Sequence, residues 1–195
     1  MPRITRESLL SLEAYSKTRN EFRARVISHK KNRIVHVGAH VTLIFEDELT
    51  IRYQIQEMLR AERMFEEDGI AEELDVYNPL VPDGTNWKVT MLIEYPDEDE
   101  RRVMLTKLIG IEDRVWVQVE GCRRVYAIAD EDLERETDEK TASVHFLRFE
   151  LEPAMIAALK RGAGLSAGVD HPQYSEAVPR LESAVIASLS ADLDA

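Results

Sequence analysis

Glu62 is the first residue whose position suggests chemistry. On a helical wheel drawn through EDELTIRYQIQEMLRAERMFEE, residues 46–67, Ile51, Ile55, Met58, Leu59 and Phe65 form one apolar stripe. Glu62 falls near the centre of that stripe, with Gln54 and Glu66 on its margins. A carboxylate on a buried face must be paired, protonated or bound to a cation, because stripping its water without compensation is too costly. Glu62 is therefore either the acid of an internal ion pair or hydrogen bond, or a ligand to a metal or small molecule, with Gln54 beside it.

Histidines are the other candidates: His29, His36, His40, His145 and His171. No two have the HExxH spacing that puts paired ligands on one helical face, and the Glu-x-x-His repeats of di-iron bundles are missing. His40 and Glu46 share strand parity in HVTLIFE, and Glu46 stands where that strand enters the helix. His145 shares a side with Leu147, Phe149 and Leu151, where a histidine is either a hydrogen-bonded core residue or a ligand. In Asp170-His171-Pro172 both side chains could reach one metal, yet a histidine before proline also reads as a rigid turn with His171 exposed. Cys122 sits at a hairpin turn beside Arg123 and Arg124, and one exposed cysteine does not by itself mark a nucleophile. GxSxG, Walker and GxGxxG patterns are missing, so no catalytic residue can be named and the reading leans away from an enzyme. No cofactor is called for. A divalent metal held by some of His40, Glu46, Glu62, His145, Asp170 and His171 is the competing reading.

These residues need elements to position them. Thr5 to Leu12 reads as a short capped helix, and a second helix starts near Asn20 and runs through EFRARVISHKKN. RIVHVGAHVTLIFED reads as a hairpin or bent strand, followed by one long helix over 47–67 that Gly69 ends. Residues 70–86 form a long connection whose Asn78, Asp83, Asn86 and Trp87 could close over a pocket as a lid. In NWKVTMLIEY, Trp87, Val89, Met91, Ile93 and Tyr95 point one way. PDEDERRVMLTKLIG is a helix with acids in its first turn. A hairpin around Glu120-Gly121, a helical turn plus loop in DEDLERETDEK and a strand in TASVHFLRFEL come next. EPAMIAALKRG is a helix, LSAGVDHPQY is rich in turns, and PRLESAVIASLSADL carries a last helix. The sum is one α+β domain over 1–195, with a mostly antiparallel sheet of about five or six strands and helices packed on it.

The charge is uneven. Residues 1–33 hold nine Lys/Arg and three Asp/Glu, a balance of +6, within a chain of net charge −12. A basic helical segment (1–32) thus precedes an acidic body (33–195). An acidic body repels phosphate, which argues against nucleic acid. The nearest acidic surface for the basic segment is the protein's own body or that of a second copy, and a homo-oligomer, most simply a dimer, is expected. The N-terminus MPRITRESLL lacks an apolar leader run, and no window supplies the ~18 apolar residues of a membrane helix. One cysteine forbids an intrachain disulfide and suits a reducing cytoplasm.

Five segments carry a resemblance: EFRARVISHKKNR, HVTLIFEDELTIRYQIQEMLRAERMFE, YNPLVPDGTNWKVTMLIEY, ASVHFLRFEL and GVDHPQY. Through them nearly the whole chain resembles the bacterial family known as domain of unknown function 3501. The resemblance implies no established activity and no catalytic residues. It implies an association with rubrerythrin-like proteins and iron–sulfur oxidoreductases, and so an accessory or binding role near peroxide or iron metabolism with a redox protein as partner. The single cysteine cannot itself hold an iron–sulfur cluster within this chain.

Overall fold

The structure, a computed structural model, describes residues 3–129 and 140–194. After a 3-10 turn at Arg6–Ser8 come α1 (Leu12–Lys30), β1 (Ile34–Val37), β2 (Val41–Glu46), α2 (Glu48–Ala61), α3 (Glu67–Tyr77) and β3 (Asn86–Ile93). Then follow α4 (Glu98–Lys107), β4 (Val115–Val119), β5 (Arg124–Tyr126), β6 (Val144–Glu150), α5 (Pro153–Lys160), β7 (Leu165–His171), β8 (Tyr174–Val178) and α6 (Ser183–Ala191).

Alternation sets the core. Trp87, Val89, Met91 and Ile93 of β3, with Tyr95 beyond it, are all buried in the main apolar cluster, as their spacing predicts. Among the described residues the strands form two four-stranded sheets, β1-β2-β3-β6 and β5-β4-β7-β8, paired antiparallel throughout. This is an α+β domain, but the expected single sheet of five or six strands is two sheets. Part of the difference lies in LSAGVDHPQY, which is strand β7, a turn at Pro172 and Gln173, and the start of β8. Its Gly168 is there for packing. Trp116 lies opposite on β4, and a Cβ at 168 would sit 2.3 Å from the indole Cζ2. The sheets share one core, into which α5 and α6 also send Met155, Ile156, Leu159, Val185 and Leu189. On one side they meet at a backbone bridge, Ile128 N–H to Arg148 O at 2.9 Å and its reciprocal at 2.8 Å.

The long helix over 47–67 is not one helix. Asp47 caps α2 through the Thr50 amide at 2.9 Å, and the helix stops at Ala61. There Met64 N–H bonds Leu59 O at 2.9 Å, Arg63 N–H reaches Arg60 O at 3.4 Å, and Arg63 takes a left-handed φ of 54°. That is a Schellman stop. Glycine usually fills its left-handed position, and Arg63 hides the signal. Beyond it α3 and a 3-10 turn at Asn78–Leu80 occupy most of the stretch expected as connection. In the N-terminal segment, Ser11 caps α1 by accepting the Ala14 amide at 3.2 Å, so the helix starts at Leu12, eight residues ahead of Asn20 where it was expected to begin.

Helices α2 and α3 and the N-terminal turn enclose a small second core of Ile4, Leu9, Ile51, Ile55, Leu59 and Ile70. Tyr15 and Arg19 fasten α1 to α2 through Glu57 (Tyr15 hydroxyl 2.6 Å; both Arg19 nitrogens 2.7 Å). The turn expected in DEDLERETDEK lies, except for Lys140, outside the described residues.

Candidate functional site

The Schellman stop displaces the predicted acid. Glu62 is the C-cap of α2 and is exposed, because the apolar stripe ends at Leu59 where the chain turns away. Phe65, expected on the buried face, is 69% exposed. The helix does carry an ion-paired acid, but it is Glu57, whose carboxyl is held down at about 2 by the bidentate Arg19 against the cost of burial. The most buried acid of this region is Glu46, 3% exposed at the end of β2, with the buried Asp47 next to it. Its Oε1 accepts from Thr90 Oγ1 at 2.7 Å and Gln54 Nε2 at 3.2 Å, and Lys88 stands opposite it on β3. Its Oε2 is buried with no hydrogen-bond partner among the described residues.

The other predicted residues scatter. His40 lies before β2, stacked on Tyr95 with ring centroids 4.0 Å apart, its Nδ1 at 2.9 Å from Glu94 O. Strand geometry puts it roughly 20 Å along β2 from Glu46, too far to share an ion. His145 is buried, with Nε2 at 2.9 Å from Thr141 Oγ1 and 3.0 Å from Ala142 O. His171 is buried rather than exposed. Its Nδ1 accepts the Gln173 amide at 3.2 Å, which leaves Nε2–H to donate to Ile109 O at 3.1 Å. Asp170 faces away from it and accepts from Arg124 at 2.6 Å and the Tyr126 hydroxyl at 2.9 Å. Among the described residues no three His, Cys, Asp or Glu side chains converge as a metal site.

The expected lid is likewise taken apart. Trp87 is core, edge-on to Phe45, with its indole N–H bonded to Leu189 O at 3.0 Å. Asn78 clamps the Ile4 backbone through both amide atoms (2.9 and 3.0 Å). Asp83 caps its own turn through Thr85 and Asn86, and Asn86 also reaches Glu150 at 3.3 Å.

Sequence reasoning missed the most buried charge. Arg33, 1% exposed, donates to Phe45 O at 2.8 Å, Glu46 O at 3.1 Å and Ser188 Oγ at 3.2 Å, and pairs with Asp192 and with Asp47 at 3.4 Å. His29 adds a 2.5 Å contact to Asp47. Burial pushes Asp192 up despite Arg33; at Asp47 burial also pushes up, but Arg33 and the Thr50 amide outweigh it and the net direction is down. The one local signal was Asp47-x-x-Thr50, a capping pattern. Nothing in the sequence marks Arg33 or Asp192.

This cluster seats α6 against a gap between the sheets. At its narrow end the Tyr174 hydroxyl donates to Val37 O at 2.6 Å and accepts from His40 N–H at 3.0 Å. Gly38, at φ 69°, lets the strands come that close, since a Cβ there would lie 2.5 Å from the Tyr174 oxygen. Towards Ile34 and Val178 the edges splay into a cleft of about 580 Å³. Val35, Val178 and Val185 give it an apolar lining, and Lys31, His36, Arg180 and Glu182 add polar and charged groups. Arg33 C=O bonds Phe45 across the β1–β2 pair, so by antiparallel alternation the amides and carbonyls of Ile34 and His36 point to the open edge. No backbone hydrogen bond joins them to β8 among the described residues.

The family model described as Protein of unknown function (DUF3501) matches residues 3–193. The chain belongs to that family. It is also similar to a crystal structure of a novel protein of unknown function from Burkholderia pseudomallei, at 60% identity and a TM-score of 0.94, covering 99% of this chain and 100% of that one. No curated protein matches. In this DUF3501 chain no helix among the described residues is long and apolar enough to cross a membrane.

Proposed function

We propose that this DUF3501 protein is a non-enzymatic binding protein that receives an extended segment of a partner protein at the seam between its two sheets. The observation that carries the reading is the cleft of about 580 Å³ bordered by an unpaired edge at Ile34 and His36. An added strand gains main-chain hydrogen bonds there, while the valines take its apolar side chains. Lys31 and Arg180 favour an acidic segment. The family resemblance implies a rubrerythrin-like or iron–sulfur protein of the cytoplasm as that partner.

Co-purification with the tagged chain from its native host, followed by amide hydrogen exchange, tests this. The Ile34 and His36 amides should exchange quickly in the free chain and slow at least about tenfold in the complex, and Lys31→Glu/Arg180→Glu should weaken capture. Amides that stay fast in the complex, or capture unchanged by the double variant, would remove the reading.

A second reading moves the ligand site from Glu62 to Glu46, because a buried carboxylate oxygen without a partner is costly. Stoichiometric iron, zinc or manganese in the purified protein, lost in a folded Glu46→Gln variant, would support it. A metal-free wild type would remove its metal form.

A further inference from the structure

Helix α1 packs on α2, and α2 on α3, and each of α1 and α3 also carries exposed residues on its surface. Helix α1 buries Tyr15 and Val26 and leaves Ile27 49% exposed. Arg23 and Lys30, four residues before and three after Ile27, adjoin it on the helix surface. Neither has a carboxylate partner among the described residues.

Helix α3 carries the counterpart. Val76 is 65% exposed, and Phe65, just ahead of the helix, is 69% exposed. Asp68 and Glu72 stand on the same stripe as Val76 at four-residue steps, again without a charged partner among the described residues. Acids crowd this end of the molecule. Burial first, then Glu62 and Glu72, push the Glu73 carboxyl above its ordinary value, and Glu73 Oε2 is buried without a hydrogen-bond partner among the described residues. Within the chain, N-terminal arginines already answer this helix: Arg3 pairs with Asp75 and Arg6 with Glu67, both at 3.0 Å. The same pairing of basic and acidic faces is unmade at Arg23 and Lys30 on one side, and at Asp68 and Glu72 on the other.

We propose that a second copy of this chain is the partner of these faces: the Arg23–Ile27–Lys30 stripe of one protomer docks on the Asp68–Glu72–Val76 stripe of the next. The two stripes are complementary in charge, and each carries an exposed apolar residue beside its charges. None of the residues in either stripe lines the seam cleft, so this inference stands or falls independently of the proposed function.

Sedimentation velocity on the full chain tests it. At about 0.1 mM and low salt the wild type should sediment as a dimer or larger assembly of the 22.4 kDa chain. Raising the salt should shift it towards monomer. Arg23→Glu/Lys30→Glu sets acid against acid, and Asp68→Lys/Glu72→Lys sets base against base, so each alone should associate at least about tenfold more weakly. Mixed in equal amounts, the two variants again oppose unlike charges and should form a mixed assembly. Ile27→Ser, at an exposed position, should weaken the association without a charge change. Circular dichroism confirms that each variant is folded. A wild type that stays monomeric, an assembly that survives either charge-reversed variant, or variants that fail to associate on mixing would overturn the proposal.

Discussion

Glu57 is a carboxylate whose titration should be visible in stability. Its folded value, about 2, lies below the ordinary one, so between the two the unfolded chain binds more protons than the folded one. The contribution is therefore complete above about pH 4.5, and it is lost as the pH falls towards 2. Urea denaturation across that window should show stability falling with acidity, and Arg19→Gln should flatten that part of the profile while lowering stability at neutral pH. An unchanged slope would mean that Arg19 does not set the Glu57 value. At this scale the sequence was partly legible. It says that the 46–67 segment must deal with buried acids, but which acid is buried depends on where the helix ends, and wheel arithmetic cannot see an end.

That end is a matter of elements. A Schellman stop is easy to read when glycine occupies its left-handed position, and here Arg63 does so at φ 54°. A β-carbon at that φ is strained, so Arg63→Gly should stabilise the protein by about 0.5–1 kcal/mol, measured by thermal or urea unfolding. Destabilisation would mean that the arginine side chain makes a contact worth more than the strain. The elements that sequence located best are those whose pattern is local. The alternation of β3 and the acidic first turn of α4 both appear where expected. The elements it missed depend on distant partners. LSAGVDHPQY has the small, turn-forming residues of a loop, and it is a strand because β4 and β8 pair with it on either side, Gly168 leaving room for Trp116. Asn78, Asp83 and Asn86 looked like ligand-binding groups because polar side chains that hold backbone turns have the same chemistry as those that hold ligands.

For the whole molecule, the connection that matters most joins the start of the chain to its end. Arg33, next to β1, spends its guanidinium on β2 and on α6, and Asp192 is its buried counter-charge. Removing Asp192 leaves Arg33 buried with only the more distant Asp47 as counter-charge, so Asp192→Ala should cost about 1.5–3 kcal/mol, and Arg33→Met/Asp192→Leu should recover part of it. Equal losses in the single and double variants would show that packing of α6, not charge, dominates. The cleft and the two helix stripes share this character, being made by elements far apart in sequence. That is why composition could suggest a basic segment facing an acidic surface without saying where either surface lies.

The Arg33 connection also bears on how the protein is made. Asp192 follows Arg33 by 159 residues. At ordinary elongation rates of about 5–20 residues per second, the arginine waits on the order of ten to thirty seconds for the ribosome to deliver its counter-charge. Trp87 waits as well, since its indole partner, the Leu189 carbonyl, lies 102 residues further on. Sheets, seam and core therefore cannot be finished before α6 has been made. The nascent protein must hold an open apolar interior, with Arg33 short of Asp192, until α6 arrives, and during that interval it is a natural client for chaperones.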